Sequence, residues 1–293
     1  MVIVRLNFGL GNQMFQYAAG KALSLRYNRP FKIDLSAFQN QVGAQHHEKE
    51  CHLNIFKADL TLATKKELEI VQKYSLNWVF RLYNRTKKVF GFNGELVYYG
   101  NNNNPSRDLE NHEQGKIIYV AGDFQNEAFF KDYQDVIRDA FYFKDINQDK
   151  ENYSLGKEII SRESVSIHVR RGDYVNHTII KPVSLTYYQK AIEKICLMVQ
   201  EPYFYVFSDD IDWCKKNLNL SASCTFIQHN TGKNSYKDMY LMSQCKHNII
   251  ANSSFSWWGA WLNNNPDKIV IAPNKWMLGR ASTDIVPKTW ILI

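Results

Sequence analysis

Apolar and polar positions follow their clearest pattern in the second half of the chain. Short apolar runs, SVSIHV (164–169), YFYVF (203–207), CTFI (224–227), HNIIA (247–251) and KIVIA (268–272), are bounded by polar residues and are too short for helices, so they predict buried strands. Between them apolar residues recur at three- and four-residue spacing over 184–199, 211–218, 235–244 and 255–264, as core-facing helices require. Such βαβ alternation predicts a parallel sheet with helices on both faces. The first half begins the same way. A strand VIVRL and a glycine loop NFGLGNQ lead into a helical stretch, Gln13 to Tyr27, and a second strand, FKIDL. The pattern resumes with KIIYVAG and a helix over 127–141, while 40–115 mixes short apolar pieces with polar loops and carries Asn101 to Asn104 before Pro105, a turn signal. A polar, weakly periodic stretch at 145–160 reads as a linker, dividing the chain into Rossmann-like domains at 1–155 and 156–293.

Composition narrows this picture only a little. A chain of 293 residues, 45% hydrophobic and 14% aromatic, suits two packed α/β domains. The net charge of +7 fits a phosphorylated small substrate, an anionic membrane surface or nucleic acid. The chain has no Lys/Arg-rich tail, zinc pattern or RNA-binding aromatic signature, so nucleic acid is not expected as a partner. Arg81, Arg85, Lys87 and Lys88 lie among Trp78, Phe80 and Tyr83, either an amphipathic helix at lipid headgroups or a solvated face. No apolar run approaches a membrane span and the start lacks a signal-peptide pattern, so the expected location is cytoplasmic, with peripheral contact at the inner membrane face as the second placement. The five cysteines, without a CxxC pair, read as reduced core thiols.

Charge gathers where a parallel sheet places its ligands, beyond the carboxyl ends of strands: RRGD after 164–169, SDD after 203–207 and NSS after 247–251. The loop GLGN lacks the third glycine of a dinucleotide fingerprint, which argues against NAD. DDID at 209–212 has two readings, a helix N-cap from Asp209 or Asp210 or a metal-binding DxD, and the N-cap is preferred, so no metal ligand is assigned.

Three segments, GLGNQMFQYA (9–18), HVRRGDY (168–174) and ANSSFSWWGAWL (251–262), closely resemble the bacterial α-1,2-fucosyltransferases of glycosyltransferase family 11, whose relatives include the animal blood-group H enzymes. The resemblance runs from near the amino terminus to about residue 275. It implies an α/β protein of the GT-B type, with two Rossmann-like domains facing a cleft, the first on the acceptor side and the second binding the donor. It further implies GDP-fucose as donor, no metal or other cofactor, inversion at the anomeric carbon, and a galactose-terminated oligosaccharide or lipid-linked glycan as acceptor. It also implies a place in O-antigen biosynthesis. A non-catalytic nucleotide-sugar or glycan-binding protein, or a fucosyltransferase of different linkage, is the alternative.

Negative charge grows on the departing β-phosphate during fucosyl transfer, so fixed cations there act on the transition state. Arginine suits this because its planar fork stays charged and binds phosphate bidentately. By the resemblance Arg170 is the primary β-phosphate ligand, while Arg171 either joins it or forms a salt bridge with Asp173. Ser208 and Asp209 are expected near the nucleoside. Asp238, helped by His168, is implied to read guanine, whose N1–H and amine offer one carboxylate two donors; a Ser235–Asp238 capping box is the competing account. Asn252, Ser253, Ser254 and Phe255 form the expected diphosphate site at a strand–helix junction, Ser254 being the candidate cap. Trp257, Trp258 and Trp261 are read as packing. Asn12 and Gln13 are the implied amino-domain lip, with Gln125 or Glu127 as additions and helix capping as the other account of Asn126 and Glu127. For a general base the candidates are Asp173, His177 and Glu127, because YVNHTIIKP lacks the glutamate some relatives carry there.

Overall fold

The computed structural model describes residues 1–38, 50–76, 96–100, 117–220 and 222–293. The basic and aromatic positions Trp78 to Lys88, the asparagine run 101–104 and most of the 40–115 stretch lie outside the described residues. The chain forms two compact units, Met1–Tyr142 and Phe143–Ile293, so the division falls earlier than the 155/156 boundary drawn from sequence.

In the first unit, strands β1 (Val2–Arg5), β2 (Phe31–Asp34), β3 (Leu96–Gly100) and β4 (Ile117–Ala121) form a parallel sheet in the order β2-β1-β4-β3. Val2, Ile3, Val4 and Leu6 are fully buried, which explains why VIVRL shows no alternation. Helix α1 (Leu10–Arg26) lies close on β1: a Cβ added to Gly20 would come within 2.8 Å of Val4 Cβ. Helix α2 (Lys65–Leu76) was not expected. The single helix expected over 127–141 is broken instead into 3-10 turns at Glu127–Phe129 and Lys131–Tyr133, followed by α3 (Gln134–Ala140). The break falls at Phe130, whose φ of −141° leaves the helical region and whose ring is buried.

The second unit carries a six-stranded parallel sheet in the order β12-β9-β8-β5-β6-β7. Its strands are β5 (Ser164–Val169), β6 (Tyr203–Ser208), β7 (Cys224–Ile227), β8 (His247–Ile249), β9 (Val270–Ala272) and β12 (Ile291–Leu292), and β10 (Lys275–Met277) with β11 (Arg280–Ala281) make a separate antiparallel hairpin. The segment 145–160 is not a linker. It contains α4 (Lys150–Ile160), capped by Asp149, whose side chain accepts from the Asn152 N–H. Its buried face is built from Asn152, Gly156 and Ile159, so most of the apolar periodicity that signals a helix is missing. Helices α5 (Leu185–Met198), α6 (Ile211–Asn217), α7 (Tyr236–Gln244) and α8 (Ser254–Leu262) alternate with the strands.

Strand β5 is buried along its whole length at the centre of the sheet. From it the chain builds β6 and β7 to one side, then returns to place β8 on the other. The switch point between β5 and β8 opens a crevice beyond their carboxyl ends, where open α/β sheets bind ligands. Trp257 and Trp258 are fully buried and Trp261 nearly so, as the packing account expected, and Trp257 Nε1–H donates to the Ile285 carbonyl at 3.2 Å. All five cysteines are free thiols, but only Cys214 and Cys245 are buried; Cys196 is exposed, contrary to the uniform core assignment. Among the described residues no helix is long and apolar enough to cross a membrane.

Candidate active site

At the end of β5 the two arginines part, because successive side chains of an extended chain point to opposite sides. Arg170 stands between two carboxylates: Nη2 is 2.7 Å from Asp173 Oδ1 and Nη1 is 3.1 Å from Asp209 Oδ2. Arg171 turns the other way, with Nε–H donating to Asp210 Oδ2 at 3.1 Å and its guanidinium 4.0 Å from the Trp213 ring centre. The expected Arg171–Asp173 salt bridge is therefore replaced by Arg171–Asp210, and Asp173 belongs to Arg170. Asp209 is fixed from behind, its Oδ1 accepting the Arg171 backbone N–H at 2.8 Å.

Asp209 and Asp210 of DDID are committed in the same way. Asp210, and not Asp209, caps α6 by accepting from Trp213 N–H at 3.2 Å, while Ser208 Oγ accepts the Asp210 N–H at 2.9 Å. Ser208 thus shapes the turn. Asp209 and Asp210 each spend their charge on an arginine, a donor set already neutralised by cations. Among the described residues no group of three His, Cys, Asp or Glu side chains is arranged to hold a metal ion.

The contact between Arg170 and Asp173 is ionic without hydrogen-bond alignment: Asp173 Oδ1 is buried and has no hydrogen-bond partner. Arg170 is thus oriented by two carboxylates at the carboxyl end of β5. Tyr174 packs beside it, with its ring centre 5.5 Å from the guanidinium, and its hydroxyl donates to the Asn252 carbonyl at 3.4 Å. That hydrogen bond joins the β5 loop to the loop after β8. Asn252 in turn uses both side-chain N–H groups on the carbonyls of Lys181 and Trp276, at 3.0 and 2.9 Å, leaving Oδ1 buried without a partner. Ser253, not Ser254, caps α8, its Oγ accepting from Phe255 N–H at 3.4 Å. Ser254 and Phe255 stay partly exposed in the helix's first turn.

His168 is buried two residues before Arg170. Burial first, and the Arg170 charge second, depress its imidazole to about 3, so it is neutral at physiological pH. Its Nδ1 has no partner, and its ring centre lies 5.8 Å from that of Phe255.

Asp238 sits in the first turn of α7, but the capping box did not form: Ser235 makes no side-chain cap. Its Oδ1 accepts from Asn230 Nδ2 at 2.8 Å, and burial raises its carboxyl to about 7 against the opposing effect of that hydrogen bond. No hydrogen bond joins Asp238 to His168 among the described residues.

In the first unit, Asn12 and Gln125 come together beyond β1 and β4, Gln125 Nε2 donating to Asn12 Oδ1 at 2.8 Å. Gln13 does not face a ligand. It is fully buried and holds the loop, donating to the carbonyls of Phe8 and Glu50 at 2.7 and 3.0 Å and accepting from His52 N–H at 2.8 Å. Asn126 caps the turn Glu127–Phe129 by accepting from Ala128 N–H at 2.8 Å. Nδ1 of His177 accepts from the N–H groups of Ile179 and Ile180 at 3.1 and 3.0 Å, so this nitrogen shapes its own loop.

Residues 1–293 match, end to end, the model of the family described as glycosyl transferase family 11. The chain belongs to that family. Among its relatives, an alpha-1,2-colitosyltransferase of Escherichia coli is 36% identical, covering 100% of this chain and 99% of that one. The O-antigen biosynthesis glycosyltransferase WbnK, also of Escherichia coli, is 33% identical over 98% of each chain. Among solved structures, the fucosyltransferase NodZ from Bradyrhizobium shares the fold with a TM-score of 0.55 at 14% identity, covering 88% of this chain and 91% of that one. The two parallel-sheet units are accordingly α/β units of the GT-B class.

Several polar residues of this family 11 chain carried no sequence signal. Asn152 and Asn230 hold site residues through side-chain hydrogen bonds, which leave no periodicity or motif. Gln16, by contrast, lies in the quoted GLGNQMFQYA segment and clamps Asn7, its Oε1 accepting Asn7 N–H at 2.9 Å.

Proposed function

We propose that this family 11 glycosyltransferase moves L-fucose from GDP-fucose to the 2-hydroxyl of a terminal galactose, forming an α-1,2 linkage with inversion. The observation that carries the reading is Arg170 at the β5/β8 switch point, oriented by Asp173 and Asp209. A guanidinium fixed at this place stabilises the charge that develops on the departing β-phosphate, an electrostatic form of transition-state stabilisation. Arginine here does the work of a metal ion. The first turn of α8, beside Ser253 and Ser254, offers backbone N–H groups to the same diphosphate.

The diphosphate competes with Asp173 for Arg170. As Arg170 turns to phosphate, the Asp173 carboxylate is released next to the reaction centre, where it can accept the proton of the attacking hydroxyl. Asp173 is thus the base of this proposal. Asp238 reads the guanine, and Phe255 and neutral His168 border the donor.

A second reading concerns the donor, because a relative matched end to end is an alpha-1,2-colitosyltransferase. The O-antigen relative favours a lipid-linked glycan acceptor, with the protein working in the cytoplasm at the inner membrane face. The deciding experiment offers GDP-fucose and GDP-colitose with a panel of galactose-terminated glycans, follows GDP release, and reads the product linkage by NMR. An α-1,2-fucosyl product supports the proposal and a colitosyl product the second reading. GDP binding without release on any acceptor would show a binding protein instead.

A further inference from the structure

Asp238 is served by a chain of side chains whose orientations are fixed one by the next. Asp149 is held as a carboxylate by Lys237, 2.6 Å away, a pairing that pulls its carboxyl down to about 2. A carboxylate only accepts, so the Asn152 side chain must point Nδ2 at it, as observed at 3.0 Å. That choice turns Asn152 Oδ1 toward Asn230, which must answer with its own Nδ2 at 2.8 Å, and the pair closes as Asn152 Nδ2 donates back to Asn230 Oδ1 at 3.0 Å. His229 Nε2 lies 3.0 Å from the same Asn152 oxygen and is therefore the protonated nitrogen of its ring. With Asn230 locked, its Nδ2 can only donate to Asp238 Oδ1. A flipped amide, which would set an oxygen against the carboxylate, is excluded by this chain of partners. Asn152 and Asn230 are both nearly inaccessible to solvent.

The charge state of Asp238 decides what base it can read. An ionised carboxylate offers two acceptors, matching guanine N1–H and its exocyclic amine. A neutral carboxyl offers one donor and one acceptor, matching the N1 acceptor and amine of adenine. We infer that Asn230, locked by Asn152, is a specificity-determining residue: it fixes the Asp238 carboxylate and holds it in the charged form that selects a guanine over an adenine nucleotide. The inference rests on the reading of Asp238 as the guanine contact. The remaining groups around Asp238 do not supply this charge control. On α7, the Lys237 charge is taken by Asp149, and Tyr236 stacks on Phe143 with ring centres 6.4 Å apart. From the loop before α7, His229 is turned to Asn152; from the start of α4, Asp149 is paired with Lys237.

The test measures GDP and ADP affinity by calorimetry from pH 6 to 8.5 on the full chain, for wild type, Asp238→Asn, Asn230→Leu and Asn152→Leu, beside thermal melts. Because Asp238 titrates near 7, wild-type GDP affinity should be about tenfold higher at pH 8 than at pH 6. Asn230→Leu should move that midpoint to higher pH and narrow the GDP-over-ADP preference several-fold at pH 7, and Asn152→Leu should do the same more weakly. A merely structural role would lower the melting temperature and leave both readouts in place. If Asp238→Asn weakens GDP while neither leucine variant moves the midpoint or the preference, the role of Asn230 is overturned. If Asp238→Asn leaves GDP affinity unchanged, the guanine reading itself falls. Should Asn230→Leu not fold, Asn152→Leu decides alone.

Discussion

A Cβ placed on Gly172 would lie 2.6 Å from Oδ2 of Asp209, the oxygen that faces Arg170 Nη1 at 3.1 Å. A side chain at this loop position would therefore push that carboxylate aside, and it is one of two that aim the central cation. Gly172→Ala is expected to push Asp209 aside and misplace Arg170. Misplacement of a catalytic group by about 1 Å commonly costs on the order of 100-fold in rate. The melting temperature should change little, since the loop is exposed at Gly172. The check is a double-mutant cycle: if the effect passes through Asp209, Gly172→Ala adds almost nothing to Asp209→Ala.

The two arginines should separate by readout. Arg170→Ala removes a charge acting on the transition state and is expected to lower kcat by about 3 kcal/mol or more, with Arg170→Lys restoring part of it, since lysine keeps charge but not the fork. Arg171→Ala removes a pair with Asp210 and a stack on Trp213, contacts within the fold, and should cost about 1 kcal/mol of stability with a smaller effect on turnover. Steady-state kinetics beside denaturation curves decide it. Equal kcat losses for both would refute the division of labour.

Chelation gives a third test. With Asp209 and Asp210 bound to Arg170, Arg171 and the start of α6, turnover is expected to survive EDTA unchanged. Loss of turnover on EDTA, restored by manganese and not by zinc-free buffer exchange, would make these aspartates metal ligands and displace the arginine mechanism.

The legible parts of the fold were those where burial writes a pattern. Strand β5 is buried on both faces, and the alternation of Val165, Ile167 and Val169 with Ser164, Ser166 and His168 gave its limits to the residue. Helix α2 was missed although Thr64 and Glu67 form a reciprocal capping box, with Thr64 N–H donating to Glu67 Oε2 at 2.7 Å and Glu67 N–H to Thr64 Oγ1 at 3.3 Å. That spacing was visible, but the helix behind it is largely polar. Helix α4 was read as a linker because it buries an asparagine and a glycine against its neighbours. At the site, motif reading found Arg170 and Asp173. It could not tell which arginine pairs with which aspartate, because the pairing depends on the alternation of two side chains at the end of a strand. Nor could it separate Gln13, fully buried and internally bonded, from Asn12 beside it.

Acid stability supplies the last prediction. His168 titrates near 3 in the folded protein, while an unfolded histidine titrates near 6.5, so between these values the unfolded chain binds the extra proton. Stability attributable to His168 is therefore intact above about pH 6.5 and is lost progressively as pH falls toward 3. At pH 5 the linkage amounts to about 2 kcal/mol. Asp238 works in the opposite direction, because its raised carboxyl binds a proton more readily in the folded state, and it would mask part of the fall in the wild type alone. Comparison with His168→Gln cancels that contribution, since both proteins keep Asp238. Urea unfolding at pH 7.5 and 5.0 should show wild type losing about 2 kcal/mol more than the glutamine variant over this interval. Equal losses would mean that His168 takes up its proton inside the fold, and with it a second positive charge beside Arg170.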